Sequence, residues 1–131
     1  MVIDSSALVA ILMKEPGWLD LAKVLDDTPR RMISAATLVE TSMVLEARKG
    51  VEGARDLDAL LQRAGVEIVP VDAPQAQLAR AAWRSFGKGN HPASLNYGDL
   101  FSYALAKVTG LPLLYKGRDF SRTDAISALT P

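Results

Sequence analysis

The stretch that decides the fold is the first thirteen residues, Met1-Val2-Ile3-Asp4-Ser5-Ser6-Ala7-Leu8-Val9-Ala10-Ile11-Leu12-Met13. Val2-Ile3 is a short apolar run that stops at an acid. Two serines follow, and then Ala7–Met13 is apolar on every side. This reads as strand, turn and buried helix, because Asp or Ser at the junction caps a helix by accepting a free first-turn amide. A strand that passes directly into a helix is the opening of an α/β unit.

The same alternation continues along the chain. Trp18, Leu21, Ala22 and Leu25 recur at helical spacing, and Thr28-Pro29 closes that helix. Arg31–Ser34 is expected as a second strand, Ala35–Lys49 as a helix stopped by Gly50, and Glu52–Arg63 as another ended by Gly65. The β-branched run Val66–Val71 predicts a third strand, after which Asp72 caps a helix carrying Leu78, Ala79, Ala82, Trp83 and Phe86 on one face. Gly87–Pro92 reads as a loop, Tyr97–Thr109 as a helix and Leu111–Tyr115 as a fourth strand, with a short fifth expected at Ala125–Leu129. Strands separated by helices predict an α/β/α sandwich around a mainly parallel sheet of four or five strands. No repeat, linker or low-complexity tract interrupts it, so residues 1–131 are expected to form a single domain.

Composition removes most kinds of chemistry. The 131 residues contain no cysteine, which excludes thiolate metal sites and cysteine nucleophiles, and a single histidine, His91 in the 87–92 loop. Carboxylates, hydroxyls, Lys and Arg remain. No basic leader is visible and no apolar run approaches the ~20 residues that span a bilayer, so a cytoplasmic protein without membrane contact is expected.

In a parallel sheet ligands bind beyond the carboxyl ends of the strands, where strand order reverses. Asp4 follows strand one, and Glu40 lies early in the helix after strand two, on a face shared with Ala36, Met43, Val44 and Ala47 that predicts an apolar setting. Asp99 is in the first turn of its helix and Asp119 follows strand four. Taken singly, Asp4 could be a helix cap, Asp99 a dipole-stabilising acid behind an Asn96 cap, and Asp119 a turn residue. Independent caps have no reason to converge on one sheet edge. Asp72 also ends a strand and is the control: were strand three the sheet edge, it would stand too far from the others.

Crowded carboxylates raise one another's pKa unless a cation neutralises them. An all-oxygen set suits Mg²⁺, with Mn²⁺ as a substitute, and such ions assist phosphodiester hydrolysis by activating water and stabilising the leaving oxygen. Asp124 is a candidate accessory acid.

With Met-Val-Ile-Asp-Ser-Ser-Ala at the start, Glu40 in Ala-Ala-Thr-Leu-Val-Glu, Asp99 in Asn-Tyr-Gly-Asp and Asp119 in Lys-Gly-Arg-Asp-Phe, the chain resembles the PIN-domain ribonucleases, and more narrowly the VapC toxins of bacterial toxin–antitoxin pairs. The resemblance runs the length of the chain. It implies a Mg²⁺- or Mn²⁺-dependent endoribonuclease acting on RNA, neutralised by a VapB-type antitoxin. It also implies a toxin homodimer, or a heterotetramer or larger assembly with that antitoxin. On this pattern Asp4, Glu40, Asp99 and Asp119 form the catalytic and metal-holding cluster, and Ser6 is the hydroxyl that hydrogen-bonds within it. Arg118 stands where relatives often have asparagine.

The zero net charge hides two unequal parts. Residues 1–72 carry eight Lys and Arg against twelve acids, net −4, whereas residues 73–123 carry seven against Asp99 and Asp119 alone, net +5. Lys116 and Arg118 flank the cluster and are the candidate RNA-phosphate contacts; Arg80, Arg84 and Lys88 are equally readable as a solvated helix face. Trp18 and Trp83 sit in helical stripes that suit core or interface. Two other readings stay open: an aspartate-nucleophile phosphatase built on Asp4, disfavoured because Ser6 stands where that class commonly has a second aspartate, and a non-catalytic RNA- or protein-binding module.

Overall fold

The computed structural model describes residues 1–129, and residues 130–131, the end of the expected domain, lie outside the described residues. In chain order the elements are β1 (Val2–Ile3), α1 (Ser5–Leu12), α2 (Trp18–Asp27), β2 (Met32–Ser34), α3 (Ala35–Lys49), α4 (Val51–Arg63), β3 (Glu67–Val69), α5 (Ala73–Phe86), α6 (Tyr97–Thr109) and β4 (Leu113–Leu114). The strands form one sheet in the order β3-β2-β1-β4, and all three pairings are parallel.

The two-residue period of the strands divides the core. Ile3, Ile33 and Leu114 point to one face, where they meet α1, α2 and the buried leucines Leu45, Leu57 and Leu61. Val2, Met32 and Leu113 point to the other, against Leu95, Leu100, Leu105 and Phe120. Each of these leucines is at most 8% exposed, and burying such a side chain stabilises the fold by about 1.5–3 kcal/mol. The helix ends follow local chemistry. Asp4, Ser34, Asp72 and Asn96 cap α1, α3, α5 and α6 with their side chains, and Gly110 ends α6 in the left-handed conformation.

The strands are shorter than their apolar runs. Proline explains two of them, since it has no amide to give a ladder. Pro70 cuts the Val66–Val71 run to Glu67–Val69, and Pro112 confines the Leu111–Tyr115 run to Leu113–Leu114, although the Pro112 carbonyl still accepts from the Val2 amide at 2.8 Å. The fifth strand does not form among the described residues. Ala125–Leu129 makes one bridge, Ser127 to Leu113, and the Ser127 hydroxyl then bonds within its own segment to the Leu129 carbonyl. No helix among the described residues is long and apolar enough to cross a membrane.

The helix pair α3–α4 packs with backbone almost in contact. A Cβ built on Gly53 would lie 2.5 Å from the Leu45 carbonyl oxygen. Gly53→Ala is therefore expected to lower stability by about 1–3 kcal/mol despite the better helix propensity of alanine. A urea midpoint unchanged from the parent would show that the contact is looser than described.

Candidate functional site

The strand order turns outward on both sides of β1, and the crevice beyond β1 and β4 is where the acids gather. Asp4 ends β1 and is 1% exposed. Its Oδ2 accepts from the Ser6 amide at 3.0 Å and the Ser6 hydroxyl at 2.7 Å, and its Oδ1 accepts from the Ser102 hydroxyl of α6 at 2.6 Å. Behind Ser102, the Thr37 hydroxyl of α3 stands 3.2 Å away in buried surroundings. Ser6 also accepts from the Lys116 amide at 3.0 Å, fastening the segment after β4 to the same point. Burial pushes the Asp4 carboxyl above the usual carboxylate range, and these donors only partly offset it.

Asp99 and Asn96 form a capping box at the start of α6: each side chain accepts from the other's amide at 3.0 Å. Asp99 thus serves both the capping box and the site. Asp99 is pushed up to about 7, first by burial, while the Asn96 amide opposes the shift and the charges of Asp4, Asp119 and Glu40 add to it. Glu40 is raised as well, chiefly by burial and then by Asp4, with the Ser5 hydroxyl in opposition. Its expected apolar face is corrected: Met43 is 65% exposed and Ala47 is also exposed, and α3 packs inward through Thr37, Thr41 and Leu45 instead. What encloses Glu40 is Gly98, where a Cβ would collide with the Glu40 carboxylate. Asp119 is exposed just ahead of a short 3₁₀ turn, Phe120–Arg122, and makes no cap bond there.

The remaining candidates lie outside this cluster. Both Asp124 carboxylate oxygens are engaged elsewhere, Oδ1 accepting from the Tyr103 hydroxyl at 2.5 Å and Oδ2 from Lys107 at 2.9 Å, and its pKa is lowered, whereas those of Asp4, Glu40 and Asp99 are raised. The Lys116 ammonium pairs with Glu15 at 3.3 Å, and Arg48 approaches the same glutamate at 3.6 Å. Arg118 is exposed. Asp72 follows the edge strand β3 and caps α5, as its control role requires.

Among the described residues, none of Asp4, Glu40, Asp99 and Asp119 pairs with a Lys or Arg. Uncompensated negative charge, all-oxygen donors and neighbouring hydroxyls suit a hard divalent cation. No three acidic or histidine side chains among them stand close enough to clasp an ion as they are, so this is a charged cluster and not a closed cage. Sequence reasoning missed Ser102, Thr37 and Gly98. The available signals were a hydroxyl three residues after Asp99 in an apolar helix, and a glycine inside a first helical turn, where it costs about 1 kcal/mol against alanine.

The comparisons agree with the fold. The family model described as "PIN domain" matches residues 1–126. The chain is 51% identical over 131 residues to Ribonuclease VapC30 of Mycobacterium tuberculosis, covering all of both chains. It is 56% identical over 124 residues to Ribonuclease VapC of Mycolicibacterium smegmatis, covering 95% of this chain and 96% of that one. Among solved structures, Mycobacterium tuberculosis VapC20, described as a sarcin-ricin loop cleaving toxin, aligns with a TM-score of 0.75 at 20% identity over 95% of each chain. VapBC2 from Rickettsia felis, bound to a promoter DNA fragment, aligns at 0.72 and 16% over 96% and 94%.

Two outcomes follow from the geometry. Folding pushes the Asp99 carboxyl up to about 7 from an ordinary aspartate value of 3.8. Its raised pKa thus favours the folded state below about pH 4, and that contribution is lost as pH rises through 7. In metal-free protein, Asp99→Asn is expected to flatten the decline in melting temperature between pH 5 and pH 8 (roughly the window where this acid ionises). Added Mg²⁺ at the upper end should then stabilise the parent more than the variant, by linkage; equal Mg²⁺ shifts would remove Asp99 from the ion site. Separately, Ser102→Ala leaves a buried carboxylate oxygen short of a donor and is expected to cost about 1–3 kcal/mol. A double-mutant cycle with Thr37→Val should be non-additive, and strict additivity would show that the two hydroxyls do not work together.

Proposed function

Because the chain belongs to the PIN-domain family, and within it to the VapC ribonucleases, we propose that it is an endoribonuclease toxin of a toxin–antitoxin pair that hydrolyses RNA with the help of Mg²⁺ or Mn²⁺. The observation that carries this is the gathering of Asp4, Glu40, Asp99 and Asp119 at one sheet edge, with the carboxyl pKa values of Asp4, Glu40 and Asp99 raised and, among the described residues, no ion pair from Lys or Arg to any of the four. Full-length identity of 51–56% to proteins named as ribonucleases supports the same reading.

Asp4, Asp99, Glu40 and Asp119 would hold the divalent ion. When bound, the ion supplies Lewis-acid stabilisation of the phosphate oxygens and lowers the pKa of water. The chain's own residues supply position. Ser6 and Ser102 fix both oxygens of Asp4, and the Asn96 amide fixes one oxygen of Asp99, leaving its other oxygen uncommitted. Arg118 is exposed beside Asp119 and is available to an incoming phosphate. A VapB-type antitoxin and a toxin dimer belong to this proposal, as does action in the cytoplasm.

The test is cleavage of total cellular RNA by metal-stripped protein, with and without Mg²⁺ or Mn²⁺, alongside Asp4→Asn and Asp99→Asn. Cleavage should require the ion, and each variant should lose about 10²-fold or more, in keeping with loss of a charge-stabilising group. Variants as active as the parent, or no cleavage with either ion, would overturn the proposal. Growth arrest on expression, relieved by co-expressing the cognate antitoxin, distinguishes a toxin from a housekeeping nuclease.

A further inference from the structure

A second surface on this chain has the chemistry of a single-stranded nucleic-acid site. Between α5 and α6 runs an open groove of about 790 Å³. Its walls carry three aromatic rings, Trp83 on α5 with Tyr97 and Phe101 on α6, and two arginines, Arg80 and Arg84; no acid lines it. Tyr97 is 77% exposed and Trp83 43%. Tyr97 stands edge-on against Phe101 with ring centroids 4.9 Å apart, so its ring is held in place although it is open to solvent. Neither arginine pairs with a carboxylate among the described residues; Arg80 touches only the Gln77 amide oxygen, at 3.1 Å.

Exposed rings interleaved with free guanidinium groups are what unpaired bases and their phosphates require: the rings stack, and the cations hold the backbone. One wall of the groove adjoins the acidic cluster: Tyr97 shares the first turn of α6 with Asp99, and Gly98 between them lies against Glu40. A second copy of the chain is the competing occupant. In a two-fold contact a patch meets itself, which would bring four unpaired guanidinium groups together with no acid in the lining to neutralise them. Charge complementarity favours a polyanion.

We propose that this groove binds unpaired bases of the RNA strand flanking the scissile phosphate, with Tyr97 and Trp83 as stacking surfaces and Arg80 and Arg84 as phosphate contacts. The inference rests on the nuclease reading for its substrate, but its test does not depend on cleavage. The chain has two tryptophans, and Trp18 packs against the opposite core cluster, so Trp18→Phe leaves Trp83 as the only reporter. Metal-free Trp18→Phe protein is titrated with an oligoadenylate of roughly ten nucleotides, within the usual site size of such folds. The Trp83 emission is expected to be quenched saturably, with affinity falling as salt rises. Tyr97→Ala and Arg84→Ala, both at exposed positions, should each weaken binding: Tyr97→Ala by about 5- to 150-fold, the span for loss of one base–aromatic stack, and Arg84→Ala with a shallower salt dependence, as one phosphate contact fewer requires. In cleavage assays the same variants should raise KM and leave kcat nearly unchanged. Quenching without any cleavage would retire the nuclease reading and leave the groove as a single-strand site. Metal-dependent cleavage with no quenching and an unaltered KM in Tyr97→Ala would overturn the groove. So would a Trp83 signal that answers only to protein concentration, with sedimentation showing self-association through this face.

Discussion

Everything at the site depends on a carboxylate that the fold buries completely. Asp4 is at once the end of β1, the cap of α1 and the acid at the centre of the sheet. A charge so placed is costly unless it is hydrogen-bonded or neutralised. The chain supplies the hydrogen bonds from the adjoining turn, through Ser6 on α1, and from distant helices, through Ser102 on α6 and, one step behind, Thr37 on α3. It does not supply the cation. That division of labour explains why α1, α3 and α6 converge where they do, and why neighbouring acids are pushed toward their protonated forms instead of being paired with lysine or arginine.

The elements that carry local signals were legible in the chain. α3 and α6 begin and end where helical spacing, Ser34, Asn96, Gly50 and Gly110 say they should. Strand lengths were not, because an apolar run does not reveal which of its amides find partners, and Pro70 and Pro112 cut two of them short. Glu40 shows a different limit. Its helical face looked apolar by residue type, yet a helix has two such faces, and the inward one is chosen by Thr37, Thr41 and Leu45. Gly98 and Ser102 act across 58 and 98 residues of sequence on Glu40 and Asp4, respectively. Contacts of that range leave no periodic trace.

Charge also sorted itself in a way that counting could not foresee. Of the cations in the basic stretch, Lys107 is spent on Asp124 and Lys116 on Glu15. Arg80 and Arg84, readable as a plain solvated face, lie instead beside exposed aromatic rings in the groove of α5 and α6. Lysine as a flexible point charge can close a local ion pair, whereas a planar guanidinium can also stack, and the distribution here separates those two uses.

The four acids differ in how much freedom folding has left them. Ordering a long side chain costs up to about 1.5–2 kcal/mol of rotamer entropy. Asp4 and Asp99 have already surrendered that freedom to hydroxyls and backbone amides. Glu40 is confined by Gly98 and the Ser5 hydroxyl, whereas Asp119 is exposed and makes no cap bond. The cluster is consequently graded from Asp4, wholly fixed, to Asp119, still adjustable: the fixed acids set where charge is concentrated, and the exposed one can move toward or away from it. A divalent ion held there would meet a preset core and one carboxylate able to adapt to its radius.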